Sequence, residues 1–411
     1  MKNKIIQKIL KVMAKQVLKK HQPIVVGVTG SVGKTTTKEL INKVLSAKFK
    51  VRSNAKNYNT EVGVTLTILG CQVDYGRNKI LQVWGVLFYW IRALFFDKNY
   101  PEILVLEMGA DKPGDIKYFC DFIPVTVGVL TEIGISHLEN FKTKQILATE
   151  KGHLLRSVME KGMAIYNWDN KIVREIGKKL SVNTIGYGLT EEAEMRATDI
   201  VFKIEVNETT QKIDGINFKL NFQGKVLPVR LKHCIGKGNV YGVLAALSVG
   251  RYFDLNLIEM IESLKDFESC SGRLTLVEGI NNSIVIDDAY NSAPVSLNLA
   301  LDLVADIKAV RKILILGDML ELGDEEVKSH KTLGKKIAEL QPDYFVAVGS
   351  RMEEAVQAYL KNSKNQENVM VFENAKEAKA LMEGLIQPGD LVLVKGSRGV
   401  KMEEIVKVLI S

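Results

Sequence analysis

The segment TGSVGKTTT, residues 29–37, follows an apolar run at residues 24–28 and leads into a helical pattern through residues 38–47. A strand, a glycine-bearing turn and a helix in that order make a phosphate-binding loop, because glycines let backbone N–H groups wrap an anion at the positive end of the helix. Thr29, Gly30, Ser31, Gly33, Lys34, Thr35 and Thr36 are the candidate contacts. In such a loop the lysine reaches the terminal phosphates of a nucleotide, and the hydroxyl of the next residue can ligate Mg²⁺. The pattern is not the full G-x-x-x-x-G-K-[ST], since Val28 stands where the first glycine belongs. A loop of this kind sits at the end of a sheet strand, so it commits the chain around it to an α/β fold.

The remaining pattern agrees. Apolar runs at residues 103–106 and 125–130, separated by helix-like stretches, fit a parallel sheet covered on both faces. Ile216, Phe218, Leu220 and Phe222 alternate with polar residues, which predicts antiparallel strands within residues 197–231, followed by helices over residues 238–252 and on to about residue 267. A second series of strands at residues 283–286, 313–316, 344–348 and 391–394 alternates with helical pattern and predicts a smaller, doubly wound, Rossmann-like domain. Polar residues fall at its strand ends, where ligands of such sheets bind: Asp287 with Asp288, Gly317 with Asp318, and residues 395–398. Without further context, the Asp pair reads equally as a helix cap, and Gly317 with Asp318 as a strand-end turn. The expected division is a basic helix at 1–22, a nucleotide-binding domain at 23–268 with an apolar insertion at about 71–100, and a C-terminal domain at 269–411.

With 46% hydrophobic and 25% charged residues over 411 positions, the chain is globular rather than disordered, collagen-like or coiled-coil. Cys71, Cys120, Cys234 and Cys270 are far apart and form no C-x-x-C pair, which speaks against zinc and a disulfide framework and for a reducing cytoplasm. The formal charge is +8, and much of it lies in residues 1–20, where seven lysines interleave with apolar residues. That is a basic amphipathic helix and not a signal peptide, because no uninterrupted apolar stretch follows the charges. It reads as a surface helix packing one stripe on the domain behind it, with a peripheral membrane contact as the second reading.

Residues 80–96, ILQVWGVLFYWIRALFF, are apolar nearly all round a helix but contain Gln82 and Arg92 and sit at the lower limit for a membrane span. Such a helix needs cover. Burial under another element is expected ahead of docking to a partner subunit or to the bilayer surface.

Glu107, at the end of the apolar run 103–106, is placed to bind a metal near the loop; His137 and Lys151 carry little signal by themselves. Taken together, the motifs resemble the Mur ligases, ATP-dependent amide-forming enzymes of cell-wall precursor synthesis. The resemblance rests on TGSVGKTTT, NYNTEVGVTLT (57–67), LEMGADKPGDI (106–116), HLENF (137–141), EKGHLL (150–155), GKGNVYGVLAAL (236–247), SGRL (271–274), DDAYNSAPVS (287–296), GDMLELG (317–323) and KGSRG (395–399), in the family's order. GDMLELG and the LEMGA form point to the branch that adds D-alanyl-D-alanine to a UDP-muramoyl tripeptide.

The resemblance implies ATP, two Mg²⁺ ions and an acyl phosphate intermediate. By similarity Lys34 and Thr35 hold the phosphates and first ion with Glu107, while His137 helps to bind the second. Lys151 matches the family's carbamylated lysine, whose added CO₂ makes an anionic oxygen ligand suited to Mg²⁺. Asn239 matches the adenine contact, Arg273 the phosphate-binding arginine, and Asp288 with Tyr290 the ribose and adenine end. Asn59 and Thr60 fall in the substrate-side motif, and Lys395, Ser397 and Arg398 would lie near the incoming amine and its carboxylate. The implied partners are small-molecule and peptide substrates, with no nucleic acid, and residues 1–20 and 80–96 offer a membrane or protein contact. Cytoplasmic placement, with a peripheral seat at the inner membrane face, follows.

Two departures stand out. Only 28 residues precede Thr29, which leaves no room for the family's UDP-binding N-terminal domain, and residues 70–102 replace a short connection. Both bear on the acceptor and neither touches the ATP residues. Three readings follow: a ligase acting on a muramoyl peptide; a ligase of the same chemistry acting on another carboxylate, such as a pseudomurein-like or lipid-linked precursor; or a non-catalytic ATP-binding scaffold, which intact Lys34, Glu107, His137, Lys151 and Arg273 oppose.

Overall fold

The computed structural model describes residues 2–55, 58–71, 79–135, 138–206, 211–363 and 365–410. His137, the expected second metal ligand, lies outside them. Two compact units result: residues 1–133, 145–196 and 241–264 form the first, and residues 134–144, 197–240 and 265–411 the second.

The first unit is built on parallel strands β1 (Ile24–Thr29), β2 (Val51–Ser53), β3 (Ile103–Glu107), β4 (Val127–Leu130), β5 (Met163–Asn167) and β6 (Asn183–Gly188), in the order β2-β3-β1-β4-β5-β6. Every residue of β3 and β4 is buried, as befits strands covered on both faces. The register pairs Val28 with Glu107 and Thr29 with Leu130, so β1, β3 and β4 end level with one another. Helix α1 (Lys2–His21) precedes β1, and α2 (Lys34–Ser46) follows it directly. Leu40, Ile41, Val44 and Leu45 are the buried apolar side of α2. Helix α3 (Glu61–Leu69) is capped by the Thr60 hydroxyl, which accepts from Gly63 N; α4 (Lys79–Phe95) and α5 (Asp115–Cys120) follow.

Strand β7 (Met195–Val206) starts in the first unit, where Met195 and Arg196 pair with the end of β6, and its later residues belong to the second, as do β8 (Gln211–Phe222) and β9 (Lys225–Leu231). The antiparallel pairing of β8 with β9 is the period-two pattern made structural. Strands β10 (Thr275–Gly279), β11 (Ser283–Asp288), β12 (Arg311–Gly317), β13 (Tyr344–Val348), β14 (Val369–Phe372) and β15 (Asp390–Lys395) form a separate sheet in the order β10-β11-β15-β12-β13-β14. Alternate residues feed two cores: Ile284, Ile286, Leu314, Leu316, Leu391 and Leu393 on one face, and Val285, Ile313, Ile315, Val392 and Val394 on the other. The pattern is α/β throughout, as expected. Strand β10 pairs antiparallel with β11 and lacked an apolar signature, because its residues are only partly buried.

The outcome differs from expectation at the apolar helix. Instead of being buried, α4 leaves Val83, Trp84, Phe88 and Phe95 well exposed although α1 and α3 pack against it, and Phe96 just beyond its end is exposed too.

Candidate active site

Thr29 ends β1 in the sheet and its hydroxyl donates to Met108 O at 2.8 Å, which ties the base of the loop to the residue after Glu107. The chain then turns through Gly30, where a Cβ would stand 2.0 Å from Thr131 Oγ1, so only glycine fits. Ser31 N donates to Glu132 O at 2.5 Å, and the Thr131 hydroxyl donates to Val32 O at 2.7 Å. Gly33, in the left-handed region at φ 82°, starts α2 with no side chain capping its first turn. An uncapped first turn of this kind leaves backbone N–H groups that can donate to an anion. Val28 occupies the missing glycine position as a fully buried strand residue, so the strand runs one step further before the turn.

Two lysines meet at this loop. Lys34 Nζ donates to Gly30 O at 2.9 Å and to Ser31 O at 3.3 Å. Lys151, from the helix Lys144–Arg156, is 1% exposed and donates to the same Gly30 O at 3.0 Å. Burial, reinforced by the Lys34 charge, pulls the Lys151 ammonium down to about 7. Its neighbour Glu150 is occupied elsewhere, accepting from Gly114, Ile116 and Lys117 N–H groups at the start of α5.

Glu107 is buried at the end of β3. Its carboxylate accepts from Asn59 Nδ2 at 3.1 Å, and Gly109 N donates to Asn59 O at 2.8 Å, so Asn59 is itself fixed by backbone. Asn54 clamps the Glu107 main chain from both sides, accepting from its N–H at 2.8 Å and donating to its C=O at 3.0 Å. The fully buried Lys38 in turn donates to Asn54 O at 2.5 Å. Asn59 and Thr60 also line a small pocket with Glu61, Gly109, Asp111, Asp115 and Phe119.

Asn54 and Lys38 were not anticipated from sequence, and no local motif flags them. Glu132 is a further addition. Asn167 Nδ2 donates to its carboxylate at 3.2 Å and Asn170 contacts it as well, while burial pushes its carboxyl up to about 7.

The second unit gathers its own expected residues. The Arg273 guanidinium lies 4.2 Å from the Tyr290 ring centroid and that of Arg398 at 5.6 Å, so one aromatic ring is attended by two cations. Asp288 and Lys395 are paired in register on β11 and β15, and Lys395 Nζ donates to Asp288 Oδ2 at 2.5 Å and to Asn291 O at 3.0 Å. Lys395 is 1% exposed, so its ammonium faces this carboxylate and not solvent. The Ser397 hydroxyl donates to Ser292 O and accepts from Leu320 N. Asp318 accepts from Met352 N at 2.9 Å, a structural tie between strand ends. Asn239 is buried, donating to Ile235 O at 2.6 Å and accepting from Ser269.

The model of the Mur ligase middle domain matches residues 28–76 and 91–250, and that of the Mur ligase glutamate ligase domain matches residues 272–398. This chain belongs to the Mur ligase family. It is 29% identical over 402 residues to a Bacillus subtilis UDP-N-acetylmuramoyl-tripeptide--D-alanyl-D-alanine ligase, covering 98% of this chain and 79% of that protein. The corresponding Synechocystis protein is 28% identical over 94% of this chain and 74% of its own length. Among solved structures, a MurF ligase from Thermotoga maritima in complex with ADP superposes with a TM-score of 0.80 at 25% identity, covering 98% of this chain and 83% of the other. Measured against the Mur ligase middle-domain model, residues 77–90 fall in a gap, which includes most of α4.

Proposed function

We propose that this chain is an ATP-dependent ligase that joins D-alanyl-D-alanine, or a similar amino acid or dipeptide, to the carboxylate of a cell-wall precursor peptide. The observation that carries the proposal is the phosphate loop with Lys34, Lys151 and a positioned Glu107 around it, in a chain similar along nearly its whole length to ligases of that name.

A carboxylate resists attack by an amine, so it is first activated. A carboxylate oxygen takes the γ-phosphoryl group of ATP, ADP leaves, and the product is an acyl phosphate. The amine attacks its carbonyl carbon, a tetrahedral intermediate collapses, inorganic phosphate departs and the amine gives up a proton. In phosphoryl transfer, catalysis is mostly positioning and charge stabilisation. Here the uncapped first turn of α2 and Lys34 supply positive charge to the phosphates.

The donors present fit Mg²⁺. The Thr35 hydroxyl and Glu107 carboxylate are hard oxygens, and Asn59 holds the carboxylate in one orientation. Mg²⁺ commonly keeps several waters and substrate phosphate oxygens and takes only one or two protein ligands. Mg²⁺ bound there would neutralise phosphate charge. We assign a second ion to His137 and Lys151, the latter as its carbamate: the neutral amine of Lys151 adds to CO₂, releasing a proton. A fully buried amine held near 7 is suited to that step. We assign Asn239, Arg273, Asp288 and Tyr290 to the nucleotide, and Ser397 and Arg398 to the amine substrate, on the resemblance. We assign this ATP-consuming reaction to the cytoplasm.

The test is phosphate release with ATP, Mg²⁺ and D-alanyl-D-alanine, offered UDP-muramoyl-tripeptide, its lipid-linked form or simple carboxylates. Release that needs both carboxylate and amine and is lost in Lys34→Ala supports the reading. No turnover on any acceptor, together with no ATP binding, overturns it.

A further inference from the structure

The first unit carries an apolar surface that the proposed chemistry does not use. α1 and α4 lie side by side: Trp90 Nε1 donates to Gln16 Oε1 at 3.1 Å, Lys20 Nζ donates to Leu94 O, and His21 Nε2 is 2.7 Å from Ala93 O. These contacts advance in the same direction along both helices. α1 buries Leu10, Met13, Ala14, Val17 and Leu18 inward.

Outward, Ile5, Ile9 and Val12 recur at i, i+4 and i+7, each more than half exposed. On α4, Trp84, Phe88, Ile91 and Phe95 recur at i, i+4, i+7 and i+11, with Trp84 at 64% and Phe95 at 69% exposure. Single exposed apolar residues are ordinary, but two adjoining stripes of this size mark an interaction surface.

The charges say what covers it. Neither helix contains an Asp or Glu, while Lys8, Lys15 and Lys19 on α1 and Arg92 on α4 are exposed. An apolar stripe bearing tryptophan, on two helices whose own charges are all cationic, is complementary to an anionic lipid interface. A two-fold pairing of copies through the same patch would instead set cations against cations. No helix among the described residues is long and apolar enough to cross a membrane, so the fitting geometry lies in the interface plane. α1 precedes the matches to the family's domains, which begin at residue 28, and most of α4 falls in the gap at residues 77–90.

We propose that α1 and α4 together form a docking surface for a bilayer rich in anionic phospholipid, seating the first unit on the membrane. This rests on the surface alone and stands whether or not the ligase reading holds.

The experiment is flotation of the full chain with vesicles of phosphatidylcholine containing about a third phosphatidylglycerol, and with phosphatidylcholine alone. Co-flotation with the anionic vesicles is expected, weakened by salt and much reduced on the neutral ones. Each of Lys8→Gln, Lys15→Gln and Lys19→Gln should weaken partitioning by about fivefold, and Phe88→Ser with Phe95→Ser by more than about tenfold, with circular dichroism unchanged because these side chains are outside the core. Failure of the folded chain to float with anionic vesicles overturns the proposal. So does binding that ignores the lysine or phenylalanine exchanges. A dimer that dissolves on Phe88→Ser, with no vesicle binding, assigns the surface to a second copy and overturns it too.

Discussion

Lys34 and Lys151 donate to one acceptor, the Gly30 carbonyl oxygen, at 2.9 and 3.0 Å. One carbonyl offers two lone pairs but little charge, so two ammonium groups there repel each other, and the buried partner yields. Gly30 is thus both the turn that shapes the loop and the point where its two lysines are coupled.

The coupling makes Lys34→Ala informative beyond loss of a phosphate contact. Phosphate release should fall by roughly a thousandfold, as for other removals of a group that stabilises transition-state charge. Far-ultraviolet circular dichroism should be unchanged, because Lys34 is only partly buried and its loop is also held by Thr131 and Glu132. Equal phosphate release by variant and parent would refute the assigned role.

Lys151 gives stability a pH dependence whose sign can be worked out. Its folded value is about 7 against 10.5 for the free side chain, so between those limits the unfolded chain binds more protons. Unfolding free energy therefore rises with pH across that window, and below about pH 7 the fold bears the full cost of a buried cation, on the order of 5 kcal/mol. Lys151→Met removes the titration. The variant should gain in thermal midpoint relative to the parent at pH 6, and the gain should shrink steadily toward pH 10, measured in CO₂-free buffer. A gap that stays constant with pH would show that Lys151 does not titrate there.

How much of this was legible in the sequence depends on chain separation. The phosphate loop is contiguous, and its strand, turn and helix appear where residues 24–47 predict them. Asn54 could not be read, because its two bonds to the Glu107 backbone join residues 53 apart and depend on β1, β2 and β3 being neighbours. Lys38 looks like any helix lysine until the fold buries it against Asn54. The exposure of the apolar helix is illegible for a related reason: hydrophobicity all round a helix says that it wants cover, not that the fold supplies it. Here α1 and α3 contact α4 while Trp84 and Phe88 stay exposed.

Asn59 should act on the metal through Glu107. Its Nδ2 holds Glu107 Oε1 at 3.1 Å, so Asn59→Ala leaves a buried carboxylate less well oriented without touching the phosphates. Loss of such a supporting partner typically weakens metal affinity by about ten- to a hundredfold. The expected result is a phosphate-release rate that needs correspondingly more Mg²⁺ to saturate, with the maximal rate largely recovered at high Mg²⁺. An unchanged Mg²⁺ requirement would remove Asn59 from the site's support.

Lys395 and Asp288 differ in kind from the exposed ion pairs of this chain. They face each other across parallel strands at 2.5 Å, with side chains 1% and 10% exposed, whereas a pair such as Lys48 with Glu259 is more than half exposed on both sides. Removing one partner of a buried pair leaves an uncompensated charge and costs about 3–5 kcal/mol, while an exposed pair is worth about 1 kcal/mol or less. Lys395→Met should therefore lower the stability of the second unit by several kcal/mol in urea unfolding. Adding Asp288→Asn should restore more than half of that loss, because the neutral amide keeps an oxygen for Leu274 N and no longer needs a cation. If the double variant were as unstable as Lys395→Met alone, the charge of Asp288 would not be the source of the cost, and packing of the lysine stem would have to account for it.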